Sequence, residues 1–222
     1  WTGPFYGFER VIETFEMTER PLRLKPVNIY YHTYIASKRA SIASLHKVHG
    51  WAQEQLRQQQ LHPIYTSEYI ERTLDWRRAT VARTASGALE LRGGRYLREW
   101  RVDEPRALPA ASASTHIAGH VRHEAAAYVH TSGPVALYGA GGAGAASRFY
   151  MESANARLTG WATQGNLQQL RFEGHLPLHA TFMAPGCELQ GAPGQKATRR
   201  GDRLDVEATS LGPTLVVLRC AG

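Results

Sequence analysis

The feature that most constrains this chain is a change of pattern at Gly87. Before it, apolar residues recur at helical spacing between short apolar runs; after it, they sit in short strand-like runs separated by turn-forming residues. One regular architecture does not accommodate both patterns. The expectation is therefore an α/β segment, residues 1–86, followed by an all-β segment, residues 87–222. A length of 222 residues is enough to bury one large core or two small ones. With 43% hydrophobic and 20% charged residues the composition is that of a globular chain. No window approaches the roughly 18 consecutive apolar residues of a membrane span, so no transmembrane segment is expected.

In the first segment, residues 27–32 (VNIYYH) follow Pro26 and are rich in β-branched and aromatic side chains, which predicts a short buried strand. A helix is predicted over residues 37–58. Leu45, Val48, Ala52 and Leu56 recur on one face beside Trp51, and Lys38, Arg39, Lys47, Glu54 and Arg57 take the others. Residues 63–66 (PIYT) read as a second strand. Ser67 then offers an N-cap, Glu68 and Glu71 suit the positive end of the helix dipole, and Ile70, Leu74 and Val81 carry the helix on to Gly87. A strand, helix, strand, helix order implies parallel strands joined by a right-handed crossover, as at the end of a larger barrel.

In the second segment, Gly93-Gly94 between residues 88–92 and 95–102 has the composition of a tight two-residue hairpin. Further strands are predicted at residues 126–130, 135–138, 148–151, 156–163, 167–173, 178–183, 204–208 and 214–220, with 110–114 and 191–201 as loops. Leu204, Val206 and Ala208 alternate with Asp205 and Glu207, as when one sheet face is buried and the other wet. A sandwich or jelly roll fits these strands. Cys187 and Cys220 are too few for a structural zinc site, and both a disulfide and two buried thiols are open readings.

The net charge of +7 is dispersed. Arg72, Arg77, Arg78 and Arg83 fall in the second predicted helix and Arg92, Arg95, Arg98 and Arg101 in the predicted hairpin, without the aromatic interleaving of a nucleic-acid platform. They read as solvated faces, with no nucleic-acid partner expected. His116, His120 and His123 have ligand-like spacing, but on a strand His123 faces away from the other two, so surface or loop histidines are expected. Gly139-x-Gly141-x-x-Gly144 matches a dinucleotide fingerprint in form alone, without a βαβ unit around it, and reads as a loop. His32, at the end of an apolar run, and Glu68, after the next one, occupy strand-end positions that line the active face of an α/β barrel.

Three stretches, GPFYGFERVIETFE, RPLRLKPVNIYYH and PIYTSEYIERTLDW, resemble the C-terminal end of the deacetylase domain in the PelA family of Pel exopolysaccharide deacetylases. LREWRV, STHIAGH, YVH, ESANARL, GHLPLHATF and GCELQ resemble that family's β-rich C-terminal region. The resemblance implies the last piece of a NodB-like (β/α) deacetylase barrel followed by a β-sandwich or jelly-roll domain. It implies removal of N-acetyl groups from an N-acetylhexosamine exopolysaccharide during biofilm matrix biosynthesis, in the periplasm or outside the cell. In such enzymes a divalent metal, with zinc the expected ion, polarises the acetamide carbonyl and a water, and a carboxylate acts as base. A late strand-end histidine then protonates the leaving amine. His32 in IYYH takes the place of that histidine, an imidazole being able to donate near neutral pH. Tyr30, on the same side by the two-residue period, and Glu68 are expected to bind substrate.

The family's metal and base motifs are expected upstream of Trp1, so none of the metal ligands is expected in this chain, and the segment alone is expected to be inactive. Expected partners are the exopolysaccharide and proteins of an exopolysaccharide secretion complex. The alternative is a noncatalytic carbohydrate-binding or protein-interaction β module, with Trp100 and Trp161 as candidate stacking platforms.

Overall fold

Phe182 is fully buried where two four-stranded antiparallel sheets contribute to one apolar core, the largest in the protein among the described residues. The computed structural model describes residues 5–18, 26–58, 60–103, 108–109, 114–139 and 149–221. The chain divides into two compact units, Trp1–His62 and Pro63–Gly222. The change of pattern at Gly87 falls inside the second unit.

The first unit is helical. A 3-10 turn at Phe5–Arg10 runs into helix α1 (Val11–Thr18), and a second 3-10 turn at Thr33–Ser37 precedes helix α2 (Arg39–Arg57). The period-3.6 pattern predicted α2 to within two residues at its start. Val48, Ser41 and Ser44 form its buried stripe, the two serines being small enough for close approach of the Phe5–Arg10 turn. Glu9 holds that turn in place by accepting hydrogen bonds from Lys47 Nζ at 2.6 Å and Ser44 Oγ at 3.2 Å. Phe15 stacks on Trp51, whose indole N–H donates to Glu16 Oε1.

Residues 27–32 do not form the predicted strand. The backbone is extended at His32 (φ −91°, ψ 140°), but among the described residues no neighbouring strand provides a ladder, and β-propensity without a ladder leaves an open segment. Residues 63–65 likewise carry no strand. No parallel pairing, and no closed barrel, occurs among the described residues.

Helix α3 (Thr66–Arg78) opens the second unit with a capping box in which the Glu68 carboxylate accepts from the Tyr65 N–H. It ends nine residues earlier than its pattern suggested, at Arg78 instead of Gly87. The β-branched pair Thr80 and Val81 belongs instead to strand β1 (Thr80–Arg83), antiparallel to β2 (Leu89–Arg92). Gly87, at φ +85°, serves the turn between them. Arg83 is thus a strand residue.

The Gly93-Gly94 hairpin is also corrected. β2 pairs with β1 and with β6 (Val135–Tyr138), whereas β3 (Glu99–Asp103) joins β5 (Ala126–Thr131) and β4 (Ile117–His123) in a separate sheet. Gly94 (φ +80°) has a different task, because a Cβ there would collide with the Asp75 carboxylate of α3. That carboxylate accepts from the backbone N–H groups of Tyr96 at 2.5 Å and Leu97 at 3.4 Å. Leu91, Val129 and Tyr138 form the small core of this region, with Trp100 packed against it.

On one side of the larger core lies the sheet of β7 (Tyr150–Ala154), β10 (His179–Met183) and β13 (Arg203–Ala208), with β12 (Gln195–Arg200) at its edge. The other side is β8 (Arg157–Gln164), β9 (Leu167–Glu173), β14 (Thr214–Cys220) and β11 (Cys187–Leu189). β12 lies within the stretch expected to be a loop. Its sequence QKATRR carries no buried residue, and an exposed, charged edge strand has no hydrophobic alternation to betray it. Asp205 departs from the wet-face expectation: it is buried, and Thr181 Oγ1 and the Arg200 guanidinium donate to it.

Cys187 and Cys220 stand opposite each other on β11 and β14 and form a disulfide, closing a loop of sequence separation 33. Replacing both cysteines with alanine is expected to lower unfolding stability by about 2–4 kcal/mol, because the unfolded chain regains the entropy of that loop. Urea melts of the oxidised wild type and the double variant check this, and coincident midpoints would contradict it.

Candidate functional site

The open segment before α2 arranges three aromatic rings. Extended backbone sends alternate side chains to opposite sides, which separates Tyr30 and His32 from Tyr31. Tyr31 packs edge-on against His49 of α2 (ring centroids 6.1 Å apart). On the other side, the Tyr30 hydroxyl lies 3.5 Å from His32 Nε2, with the two rings edge to face. The His32 ring in turn stacks almost parallel on Tyr34, at 11° and 5.2 Å. The 3-10 turn fixes Tyr34, since the Ile35 N–H donates to the His32 carbonyl and Ser37 Oγ donates to that of Tyr34. All three rings are exposed, Tyr30 by 70% and Tyr34 by 72%. An exposed imidazole between two phenols can exchange a proton with a bound molecule and offer ring faces to it at the same place.

Two of the three predicted site residues, Tyr30 and His32, are therefore adjacent, both in the first unit. Glu68 belongs to the second, and its carboxylate is engaged twice. Beyond its capping bond it lies 2.7 Å from His175 Nε2, and the His175 ring meets Tyr65 edge to face. Burial raises the Glu68 carboxyl, but the His175 hydrogen bond, the Tyr65 N–H and the charges of His175 and Arg72 outweigh it and hold the group below its ordinary value. Arg72, expected on a solvated face, is turned inward, and burial pushes its guanidinium down. Glu68, Arg72 and Asp75 together make the inward face of α3 a polar one, while Tyr65, Ile70 and Trp76 are exposed.

The other candidates are dispersed. His120 stacks on Tyr150 within the fold, and burial, reinforced by His130, holds it below the ordinary imidazole value. His123 packs on Tyr128, and His116, at φ 56°, precedes β4 with its carbonyl taken by the Ser132 N–H. Among the described residues no group of three or more His, Cys, Asp or Glu side chains is placed to hold a metal ion. Of the Gly139-x-Gly141-x-x-Gly144 run, residues 140–148 lie outside the described residues. Trp161 packs against the larger core with its N–H donating to Gln168, and Trp100 against the smaller one, so they do not form a shared platform.

Tyr34 and His175 were missed in the sequence. Tyr34 had no periodic signal, because it lies in the 3-10 turn Thr33–Ser37, where the two-residue period of the extended segment ends. His175 had none, since its partner is 107 positions away.

Comparison with known proteins finds no matching family model, no similar curated protein and no similar solved structure at a significant level.

Glu68, with its carboxyl held low in the folded state, contributes stability that is present above the unfolded carboxylate range and is lost as pH falls through the lowered folded value. In urea melts between about pH 6 and about pH 3, Glu68→Gln is expected to lose less stability on acidification than the wild type, glutamine being able to keep the capping bond. Parallel losses would detach Glu68 from the acid sensitivity of the fold.

Proposed function

We propose that the chain is the C-terminal part of a metal-dependent polysaccharide N-deacetylase acting on an N-acetylhexosamine exopolysaccharide. In this reading residues 1–86 are the end of a NodB-like barrel, and residues 87–222 are a sandwich-type accessory domain. The observation that carries the reading is His32, exposed at the end of an extended segment with Tyr30 and Tyr34 against its ring. The resemblance of GPFYGFERVIETFE, the IYYH stretch and PIYTSEYIERTLDW to the PelA family supplies the chemistry.

Amide hydrolysis adds water to the acetamide carbon and breaks the carbon–nitrogen bond, releasing acetate and a free amine. The departing nitrogen is too basic to leave without a proton. His32 supplies that proton from its ring nitrogen and recovers one from solvent afterwards. Tyr30, with its hydroxyl at His32 Nε2, orients the imidazole and lines the sugar site. Glu68, assigned to substrate by its strand-end position, is occupied by its helix cap and His175, so its part in this reading is to hold α3. The divalent metal would polarise the acetamide; the described residues do not fit it, and the reading assigns its ligands to the upstream part of the protein.

A periplasmic or secreted location and secretion-complex partners belong to the same reading. The Cys187–Cys220 disulfide is compatible with an oxidising compartment. Among the described residues no helix is long and apolar enough to cross a membrane.

The test is acetate release from N-acetylhexosamine oligomers by the protein extended upstream through the rest of the barrel. His32→Ala is expected to lower turnover by roughly 100-fold or more with metal content and fold unchanged, and the 222-residue chain alone is expected to release none. Turnover equal to wild type would return His32 to a structural role.

A further inference from the structure

Tyr34 is unlike the other exposed aromatic residues. Its ring is held on one side by an 11° stack with the imidazole of His32, its carbonyl is fixed by Ser37 Oγ, and 72% of the residue still faces solvent. The two-residue period of the segment that precedes it sends Tyr31 toward α2 and puts Tyr30 with His32, so the chain presents an alternating row of rings at 30, 32 and 34. An exposed phenol gains no burial energy, and ordering it forgoes rotamer freedom. Both costs fit a ring kept for a ligand.

Pyranose rings carry a face of C–H groups that packs on an aromatic ring, while their hydroxyls and acetamides bond to polar neighbours. The row offers both in one line. We propose that Tyr34 is a stacking subsite for one sugar unit of an N-acetylated hexosamine polymer, beside the unit whose acetamide lies at His32. This rests on the deacetylase reading for the identity of the sugar, but not for the binding itself. The stacked imidazole holds the Tyr34 ring in register, so the polymer is positioned by Tyr34 and Tyr30 while His32 does the proton transfer.

The experiment is calorimetric titration of the 222-residue chain with oligomers of N-acetylglucosamine and of N-acetylgalactosamine, using wild type, Tyr34→Ala, Tyr34→Trp and His32→Ala, each checked for folding by circular dichroism. The wild type is expected to bind at least one oligomer. Tyr34→Ala is expected to weaken binding roughly 10-fold, and Tyr34→Trp to retain it within about 2-fold, the range of an aromatic stacking contact. Wild-type affinity in Tyr34→Ala, or no binding of either oligomer by the wild type, overturns the subsite. His32→Ala keeps the two readings apart. Affinity weakened there no further than in Tyr34→Ala, with turnover at saturating oligomer lost in the upstream-extended protein, supports both readings. Retained turnover in that protein with affinity lost in Tyr34→Ala sinks the acid role and leaves the subsite standing.

Discussion

Phe182 stacks on Phe149 and meets Phe172 edge to face inside the core that β7, β10 and β13 share with β8, β9 and β14. Neither sheet is stable in water with its apolar face uncovered, and each buried side chain of this size contributes about 1.5–3 kcal/mol only while the opposite sheet is present. The remaining parts of the second unit are fastened to that core. Ala118 of β4 enters it, and Gly119 passes so close to Met151 of β7 that a Cβ would collide with the Met151 backbone. His130 of β5 reaches the Glu152 carbonyl of β7 at 2.8 Å. In this way the small sheet of β3, β5 and β4 is set against the edge of the large one.

Helix α3 is held differently. Its inward contacts are polar, with Asp75 on the backbone after Gly94 and Glu68 on His175, while Tyr65, Ile70 and Trp76 face outward. Such a helix is attached through polar contacts more than through apolar area.

Much of the β architecture was legible because its strands alternate. β6, β9 and β14 have the bounds expected of them, and β8 and β13 lie within a residue, since Leu170, Phe172, Val216 and Leu218 announce a buried face by themselves. β12 was illegible because nothing on it is buried. The length of α3 and the pairing of Gly93-Gly94 were misread because they are decided by distant partners: Thr80 and Val81 pair with Leu91 and Arg92, and Gly94 yields to Asp75. Residues 27–32 have strand propensity without a strand beside them, so composition named the conformation of the backbone but not its role. For the site, the pairing of Tyr30 with His32 followed from the two-residue period. The stack on Tyr34 and the partner of Glu68 required tertiary structure.

In the proposed reading the aromatic row at 30, 32 and 34 carries the chemistry, while Trp100 and Trp161 pack against separate cores and form no shared stacking platform. Two-dimensional NMR of the isotopically labelled chain, titrated with an N-acetylhexosamine oligomer, tests this directly. The account predicts shift changes concentrated on Tyr30, His32, Tyr34 and their immediate neighbours. Changes confined to the strands of the β unit, with the row unmoved, would contradict it and make the β unit the carbohydrate-binding part of the protein.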